Sequence, residues 1–184
     1  MAQQLDDLNI RRGGPADTEA IAGLHADSWR RHYRGAYADA YLDGDIDAER
    51  LSVWTQRLSS REESTRTMIA EADGAFVGFV HVVFDEDPRW GSLVDNLHVV
   101  SARKRNGVGS QLMSTAGEAV LEHGGGLYLW VLEQNTAAQA FYRARGGRCV
   151  DSRLVPPPGG LEDRLNGSPM CLRVAWPDPA ILLI

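Results

Sequence analysis

The sequence predicts an α/β fold of the α+β kind: one domain whose mixed sheet is mostly antiparallel and flanked by helices. The length of 184 residues, 43% of them hydrophobic, suits a single substantial core. Two apolar runs flank Asp73 and Gly74, which is a two-residue hairpin signal. A strand, a glycine-containing turn and an amphipathic helix then follow between Leu93 and Met113. We therefore expect one domain over residues 1–184, with its core at about 9–176.

The amino-terminal part predicts a strand followed by helices. Residues 8–12 form a short apolar run, and Asp17 or Thr18 is placed to cap the amphipathic helix that follows. Residues 33–58 mix aromatic, acidic and glycine residues, which predicts one or two short helices.

Three successive strands are predicted in the middle of the chain. Residues 67–72 and 75–84 should pair through the turn at Asp73 and Gly74. An acidic turn at 85–88 leads to a third strand at 92–100, so the three strands form an antiparallel meander.

The carboxy-terminal part alternates helices and strands. Apolar residues at four-residue spacing predict a helix from Val108 to a glycine run at 124–126. A strand at 127–132 precedes a helix that Asn135 is placed to cap. Two final strands, at 148–154 and 170–176, are joined by a loop or mobile flap that contains PPPGG.

Charge and composition narrow the function classes. The formal net charge of −6 argues against a general nucleic-acid or anionic-membrane surface, so the basic island at 103–105 indicates a local anion. Cys149 and Cys171 have no disulfide or zinc spacing and are predicted to be core residues, and no metal is expected. Because neither a leader pattern nor a long apolar run is present, we expect a cytoplasmic protein without a membrane partner.

The predicted turn at 104–109 is suited to binding an anion. Gly107 and Gly109 remove Cβ atoms where an anion must approach the main chain, and the first free N–H groups of a helix follow. A pyrophosphate would suit such a site. The alternative is an ordinary strand-to-helix turn with exposed charge.

Two motifs resemble the GNAT superfamily of acyl-coenzyme A dependent N-acetyltransferases. The first is KRNGVG, Lys104 to Gly109, preceded by the strand DNLHV; the usual Arg or Gln is replaced by Lys104. The second is NTAAQAFYRARGG, Asn135 to Gly147, with Gly147 where a large apolar residue is usual. Both occur in the expected order and register, and the resemblance covers about residues 9–176.

The resemblance implies a GNAT-like sheet with splayed central strands and a coenzyme A site between them. Main-chain groups of Leu97 and Val99 would be free to bind the pantetheine arm and to polarise the acetyl carbonyl. Turn amides would hold the pyrophosphate, and Lys104 or Arg105 would add a charged contact. The implied cofactor contacts are Leu97, His98, Val99, Lys104, Arg105, Asn106, Gly107, Val108, Gly109, Ser110, Asn135 and Tyr142.

Two residues are candidates for catalysis. Tyr142 is predicted to give a proton to the departing thiolate; the alternative is a packed helix tyrosine with an exposed hydroxyl. Asp95 is a candidate base for the acceptor ammonium, directly or through water, because strict alternation places it on the same face as Leu97. A role in packing or in binding substrate charge is the alternative for Asp95.

Other polar and aromatic residues remain open. His81 and His98 could titrate near neutrality, but strand histidines are more often structural. The resemblance implies that the region after the first strand walls the acceptor pocket; most of its aromatic residues, Trp29, Tyr33, Tyr37 and Trp54, are expected in the core, with one or two against substrate.

The resemblance therefore implies direct acetyl transfer from acetyl-CoA, the acyl-donor cosubstrate, to a primary amine. The acceptor is open between a small-molecule amine and a protein amino group, and a homodimer is plausible for such a family. A catalytically silent acyl-CoA sensor is the main alternative. A nucleic-acid module built on residues 103–105 is disfavoured by the acidic net charge.

Overall fold

The computed structural model describes residues 8–60 and 62–183, whose strands form one seven-stranded sheet in the order β1-β2-β3-β4-β5-β7-β6. The strands are β1 (Leu8–Arg12), β2 (Thr65–Ala72), β3 (Ala75–Asp87), β4 (Gly91–Val99), β5 (Leu127–Leu132), β6 (Arg148–Leu154) and β7 (Met170–Trp176). The helices are α1 (Thr18–His32), α2 (Asp39–Leu42), α3 (Ile46–Ser59), α4 (Val108–His123) and α5 (Thr136–Ala144). The prediction of no leader pattern concerns the amino terminus, whose first seven residues lie outside the described residues.

Strands β1 to β4 form an antiparallel meander, as predicted. Ala72 pairs with Ala75, and the two residues between them, Asp73 and Gly74, have φ values of 54° and 73°. Positive φ at both central residues is the turn geometry that matches the twist of a hairpin. Strand β3 continues to Asp87, past the predicted end at Phe84, because its last residue still pairs with Gly91.

Strands β4 and β5 are parallel neighbours that separate almost at once. Only Ser92 with Leu127 and Leu93 with Tyr128 are in register. From Val94 to Val99 the β5-facing edge of β4 has no strand partner among the described residues. The predicted splaying of the central strands is therefore confirmed.

A β-bulge in β4 corrects the predicted alternation. Val94 pairs with Val82 and Asn96 with His81, so Asp95 is an extra residue in the ladder. Because a bulge inverts the alternation beyond it, Leu97 packs with Val94 in the core under α4. The prediction that Asp95 and Leu97 share a face was wrong.

The helices cover both faces of the sheet. Helix α4 packs on one face through its predicted apolar stripe, and Val108, Leu112, Ala116 and Val120 are all buried. Helices α1 and α3 pack together on the other face, where Ile21, Trp54 and Phe79 form a second core. At 14 residues α3 is longer than the short helices that were expected there, because Trp54 and Leu58 extend its buried side.

The β6–β7 loop is tied to the first helical region. Ala38 N–H donates to the Arg164 carbonyl at 2.9 Å, and Asn166 N–H donates to the Ala36 carbonyl at 2.8 Å. This segment of the predicted loop or flap is therefore held over α1 and α2.

The two cysteines differ in exposure. Every residue of strand β6, at the edge of the sheet, is exposed, so the prediction that Cys149 is a core residue was wrong. Cys171 is buried, as predicted.

No helix among the described residues is long and apolar enough to cross a membrane.

Candidate active site

The turn before α4 gathers unpaired backbone donors. Gly107 is the N-cap residue of α4 and has a φ of 81°. The first hydrogen bond of the helix runs from the Gln111 N–H to the Gly107 carbonyl, at 3.0 Å. The amides of residues 108–110 therefore precede the hydrogen-bonded part of the helix. Arg105 also lies in the left-handed region, with φ 67°. For a non-glycine residue this conformation is strained, and such strain concentrates at functional turns.

Gly109 leaves room for a ligand beside these amides. A Cβ built there would lie 3.5 Å from Phe141 Cζ and 3.8 Å from Val99 Cγ2, which are ordinary contacts. Protein packing therefore does not demand a glycine at this position, whereas close approach of an anion to the main chain would. The turn fits a pyrophosphate group on this ground.

The side chains of the basic island are engaged in different ways. Arg103 forms an ion pair with Asp73 at 2.9 Å. Lys104 Nζ lies 2.7 Å from His32 Nε2 of α1, and burial lowers the pKa of Lys104. These contacts link the anion turn to the β2–β3 hairpin and to α1.

Arg145 is a candidate anion contact that sequence reasoning missed. Its guanidinium donates to the Ser110 hydroxyl in the first turn of α4 and lies 5.6 Å from the Phe141 ring centroid. Its place four residues after Phe141 in the second motif was the available signal, since such spacing keeps side chains on one side of a helix.

Helix α5 packs Tyr142 against the core that α4 covers. The Asn135 side chain caps the helix, as predicted, by accepting from Ala138 N–H at 3.1 Å. The Tyr142 ring is partly buried and lies 6.1 Å from the Trp176 ring. Burial raises the pKa of Tyr142, and neighbouring Tyr33 adds to the shift. The phenol is therefore neutral at physiological pH.

Asp95 lies at the wall of a cavity and is held by α3. Arg57 donates to its carboxylate at 2.8 Å and to the Asn96 side chain at 3.0 Å. Asp95 also lies near Tyr33, whose pKa rises to about 12 through burial and, secondarily, through this carboxylate. Tyr33 thus neighbours both predicted catalytic residues.

The cavity has a volume of about 260 Å³ and lies between α1, α3, β4, β5 and the β6–β7 loop. Its aromatic lining consists of Trp29, Tyr33, Tyr37 and Trp130. Its polar lining includes His25, Arg50, Arg57, Asp95, Asn96 and Arg153. Of the four aromatic residues expected mostly in the core, Trp29 and Tyr37 are buried and also line the cavity with Tyr33. Trp54 is fully buried behind His25.

His25, which lines the cavity, and the strand histidines His98 and His81 are neutral. Trp54 Nε1 donates to His25 Nδ1 at 2.9 Å, and His25 stacks on His98 with 5.0 Å between ring centroids. Burial lowers the pKa of His98 to about 3, helped by the charges of His32 and Lys104. His81 shares a 2.7 Å hydrogen bond with Thr67, and its pKa falls to about 4, mainly through burial. The structural alternative therefore fits the two strand histidines.

A family model described as the acetyltransferase (GNAT) family matches residues 25–146, which include the anion turn and most of the second motif. The chain belongs to the GNAT family. It is accordingly an N-acetyltransferase, which transfers an acetyl group from acetyl-CoA to an amine. No finding favours the silent-sensor alternative.

This GNAT protein is similar in sequence to one curated relative and in fold to solved structures. It is 26% identical over 140 residues to the uncharacterized N-acetyltransferase YuaI of Bacillus subtilis (strain 168), covering 74% of this chain and 78% of that protein. Two solved structures share the fold. The PaiA N-acetyltransferase of Thermoplasma acidophilum, in complex with coenzyme A, has a TM-score of 0.71 at 17% identity, over 92% of this chain and 99% of that one. The ribosomal-protein-S18-alanine N-acetyltransferase of Escherichia coli has a TM-score of 0.63 at 19% identity, over 94% of each chain.

Proposed function

We propose that this GNAT protein transfers acetyl by direct attack of a small primary amine held in the cavity, with Tyr142 as the proton donor. The observation that carries this proposal is the free edge of β4. That edge begins at the cavity, which Val94 and Asp95 line, and ends at Val99 just before the anion turn. It spans about 17 Å at ~3.3 Å per residue. An extended donor molecule lying along it would have its phosphates at the turn and its acyl group at the cavity.

The anion turn supports the binding half of the proposal. The free amides of residues 108–110 and the dipole of α4 favour a pyrophosphate. Main-chain groups of Leu97 and Val99 would bind the pantetheine arm and polarise the acetyl carbonyl. Those of His98 face β3, as does the Val100 N–H that donates to the Val77 carbonyl at 2.9 Å. Lys104, Arg105 and the newly found Arg145 would add charge to the phosphate end.

The chemical half needs three proton movements and no covalent enzyme intermediate. Acetyl-CoA supplies an activated thioester, in which a carbon–sulfur bond breaks as the nitrogen–carbon bond forms. The Tyr142 hydroxyl gives its proton to the departing sulfur, which its neutral state at physiological pH allows. Asp95 takes the first proton of the acceptor ammonium, directly or through water, from its place at the cavity wall. The second proton leaves the nitrogen as the amide forms and restores the Tyr142 phenol.

The experiment is free-thiol release from acetyl-CoA across a panel of amines, comparing the native protein with Tyr142→Phe. We expect kcat to fall about a hundredfold or more in the variant, the usual contribution of a positioned general acid. Tyr128→Phe is the matched control, because Tyr128 is a buried tyrosine that does not line the cavity. Equal kcat in native and Tyr142→Phe protein would remove Tyr142 from the mechanism. Tight binding of coenzyme A without turnover of any amine would favour a sensor. A homodimer and a cytoplasmic location stay predictions.

A further inference from the structure

The acceptor cavity holds more hydrogen-bond donors than its own residues satisfy. Among the described residues, three buried side-chain atoms lack a partner, and two of them, His25 Nε2 and Arg50 Nε, belong to residues that line this cavity. Both atoms are nitrogens. Buried polar groups are costly when unpaired, so a ligand that accepts hydrogen bonds would relieve both.

The proton on His25 is placed by its neighbour. Trp54 Nε1 is a donor only, and its 2.9 Å bond to His25 Nδ1 makes that atom the acceptor. Since His25 is buried and its pKa lies well below the usual value, the ring is neutral and carries its proton on Nε2. His25, which lines the cavity, therefore has an unpaired N–H donor at Nε2 and does not act as a base.

Arg50 is held flat against an aromatic wall. Its guanidinium carbon lies 4.4 Å from the Trp29 ring centroid, and Nη2 donates to Glu49 at 2.7 Å. Glu49 also accepts from Tyr41 and from Arg164, at 2.6 and 3.0 Å. One carboxylate thus serves two guanidinium groups, and the surroundings of Arg50 keep a positive excess.

Arg153 adds a second guanidinium on the opposite strand wall. It lies 4.0 Å from the centroid of Trp130, and both residues line the cavity. The lining contains three arginines but one carboxylate, Asp95, which is tied to Arg57. The two remaining cations have no carboxylate partner within the lining.

We propose that the acceptor is a small amine that also bears a carboxylate, of the size and build of an amino acid. Its carboxylate would bind Arg50, Arg153 and the His25 N–H, while its amine faces Asp95. The cavity volume of about 260 Å³ is below the range of about 300–1,000 Å³ for drug-sized ligands, which fits such a compact molecule. This inference rests on the proposed function and adds the substrate class to it.

The first test compares acceptors in the thiol-release assay. Each proteinogenic amino acid is paired with its amide and with its decarboxylated amine, for example phenylalanine with phenylalaninamide and phenethylamine. We expect kcat/KM to be about tenfold to a hundredfold higher for the best carboxylate-bearing acceptor than for its two partners, the usual range for hydrogen bonds to a charged group.

The second test removes one guanidinium. Arg153 is exposed, so Arg153→Gln should fold normally, and we expect it to raise KM for the carboxylate acceptor tenfold or more while KM for the neutral partner stays the same. Arg50→Lys keeps the charge but loses the Nε donor, and it should raise the same KM. Arg66→Gln is the control variant. It removes the same charge, but Arg66 pairs with Glu122 and does not line the cavity, so KM for the carboxylate acceptor should stay the same.

The outcomes separate this inference from the function on which it rests. Turnover of neutral amines as good as that of amino acids would overturn the carboxylate site and leave the acetyltransferase intact. If no amine turns over, binding is measured with coenzyme A present, by tryptophan fluorescence, since Trp29 and Trp130 line the cavity. Tighter binding of N-acetylphenylalanine than of N-acetylphenethylamine would support the inference. Equal binding, or none, would overturn it.

Discussion

Replacing Gly147 by alanine should destabilise the native state by about 2–4 kcal/mol. A Cβ at this position would lie 2.6 Å from both Trp176 Cζ2 and Val174 Cγ1, closer than carbon atoms can pack. Trp176 is 1% exposed, so its indole is surrounded by other protein atoms. Trp176 fills the space in which the large apolar residue usual at this motif position would otherwise lie, which explains why glycine stands here.

The magnitude comes from two contributions. Overpacking a core by one carbon costs about 1–3 kcal/mol. Moving the indole also endangers its 2.9 Å hydrogen bond from Nε1 to the Arg145 carbonyl, which is worth about 1 kcal/mol. For a chain of this size each kcal/mol lowers Tm by about 2–4 °C, so we expect a fall of about 4–16 °C.

Differential scanning calorimetry of the two single variants Gly147→Ala and Gly23→Ala checks this reasoning. Gly23 is exposed within α1, and a Cβ there would meet no atom within 4 Å, so alanine should stabilise by about 0.5–1 kcal/mol. Activity is a second readout, because Gly147 N–H donates to the Tyr142 carbonyl at 3.0 Å. Shifts of the same sign and size in both variants would refute the steric argument.

Two further predictions concern stability. Because the pKa values of His81 and His98 fall to about 4 and 3 in the folded protein, the unfolded chain binds more protons below pH 6.5, and the free energy of unfolding should decrease as pH falls from about 6.5 towards 4. Urea titrations at pH 7, 6 and 5 measure this, and a constant or rising value would contradict it. Asn135→Ala should cost about 1 kcal/mol by removing the cap of α5, whereas Asn135→Ser keeps an acceptor for Ala138 N–H. Equal melting temperatures for these two variants would show that the cap contributes nothing.

Local signals in the sequence were enough for most of the fold. The hairpin at Asp73 and Gly74, the four-residue stripe of α4 and the Asn135 cap each depend on residues close together in the chain. The two glycine-containing motifs also lie within short segments, and they were enough to predict the family. In these places propensity, pattern and packing agree, and prediction succeeds.

The errors lie where distant parts of the chain meet. Alternation along β4 cannot reveal the bulge at Asp95, because the extra residue exists only relative to β3. Arg50 and Arg153 reach one cavity from α3 and β6, more than a hundred positions apart, and no spacing rule connects them. Cys149 looked like a core residue, but the edge position of β6 exposes it.

The early separation of β4 and β5 also affects stability. The ladder at the centre of the sheet is short, because the backbone groups of β4 that face β5 find no strand partner after Leu93 among the described residues. A donor molecule whose amides hydrogen-bond to that edge would act as the missing strand for as long as it stays bound. Since such a ligand binds only the native chain, its free energy of binding adds to the free energy of unfolding. The melting temperature of this enzyme should therefore rise with the acyl-CoA concentration around it.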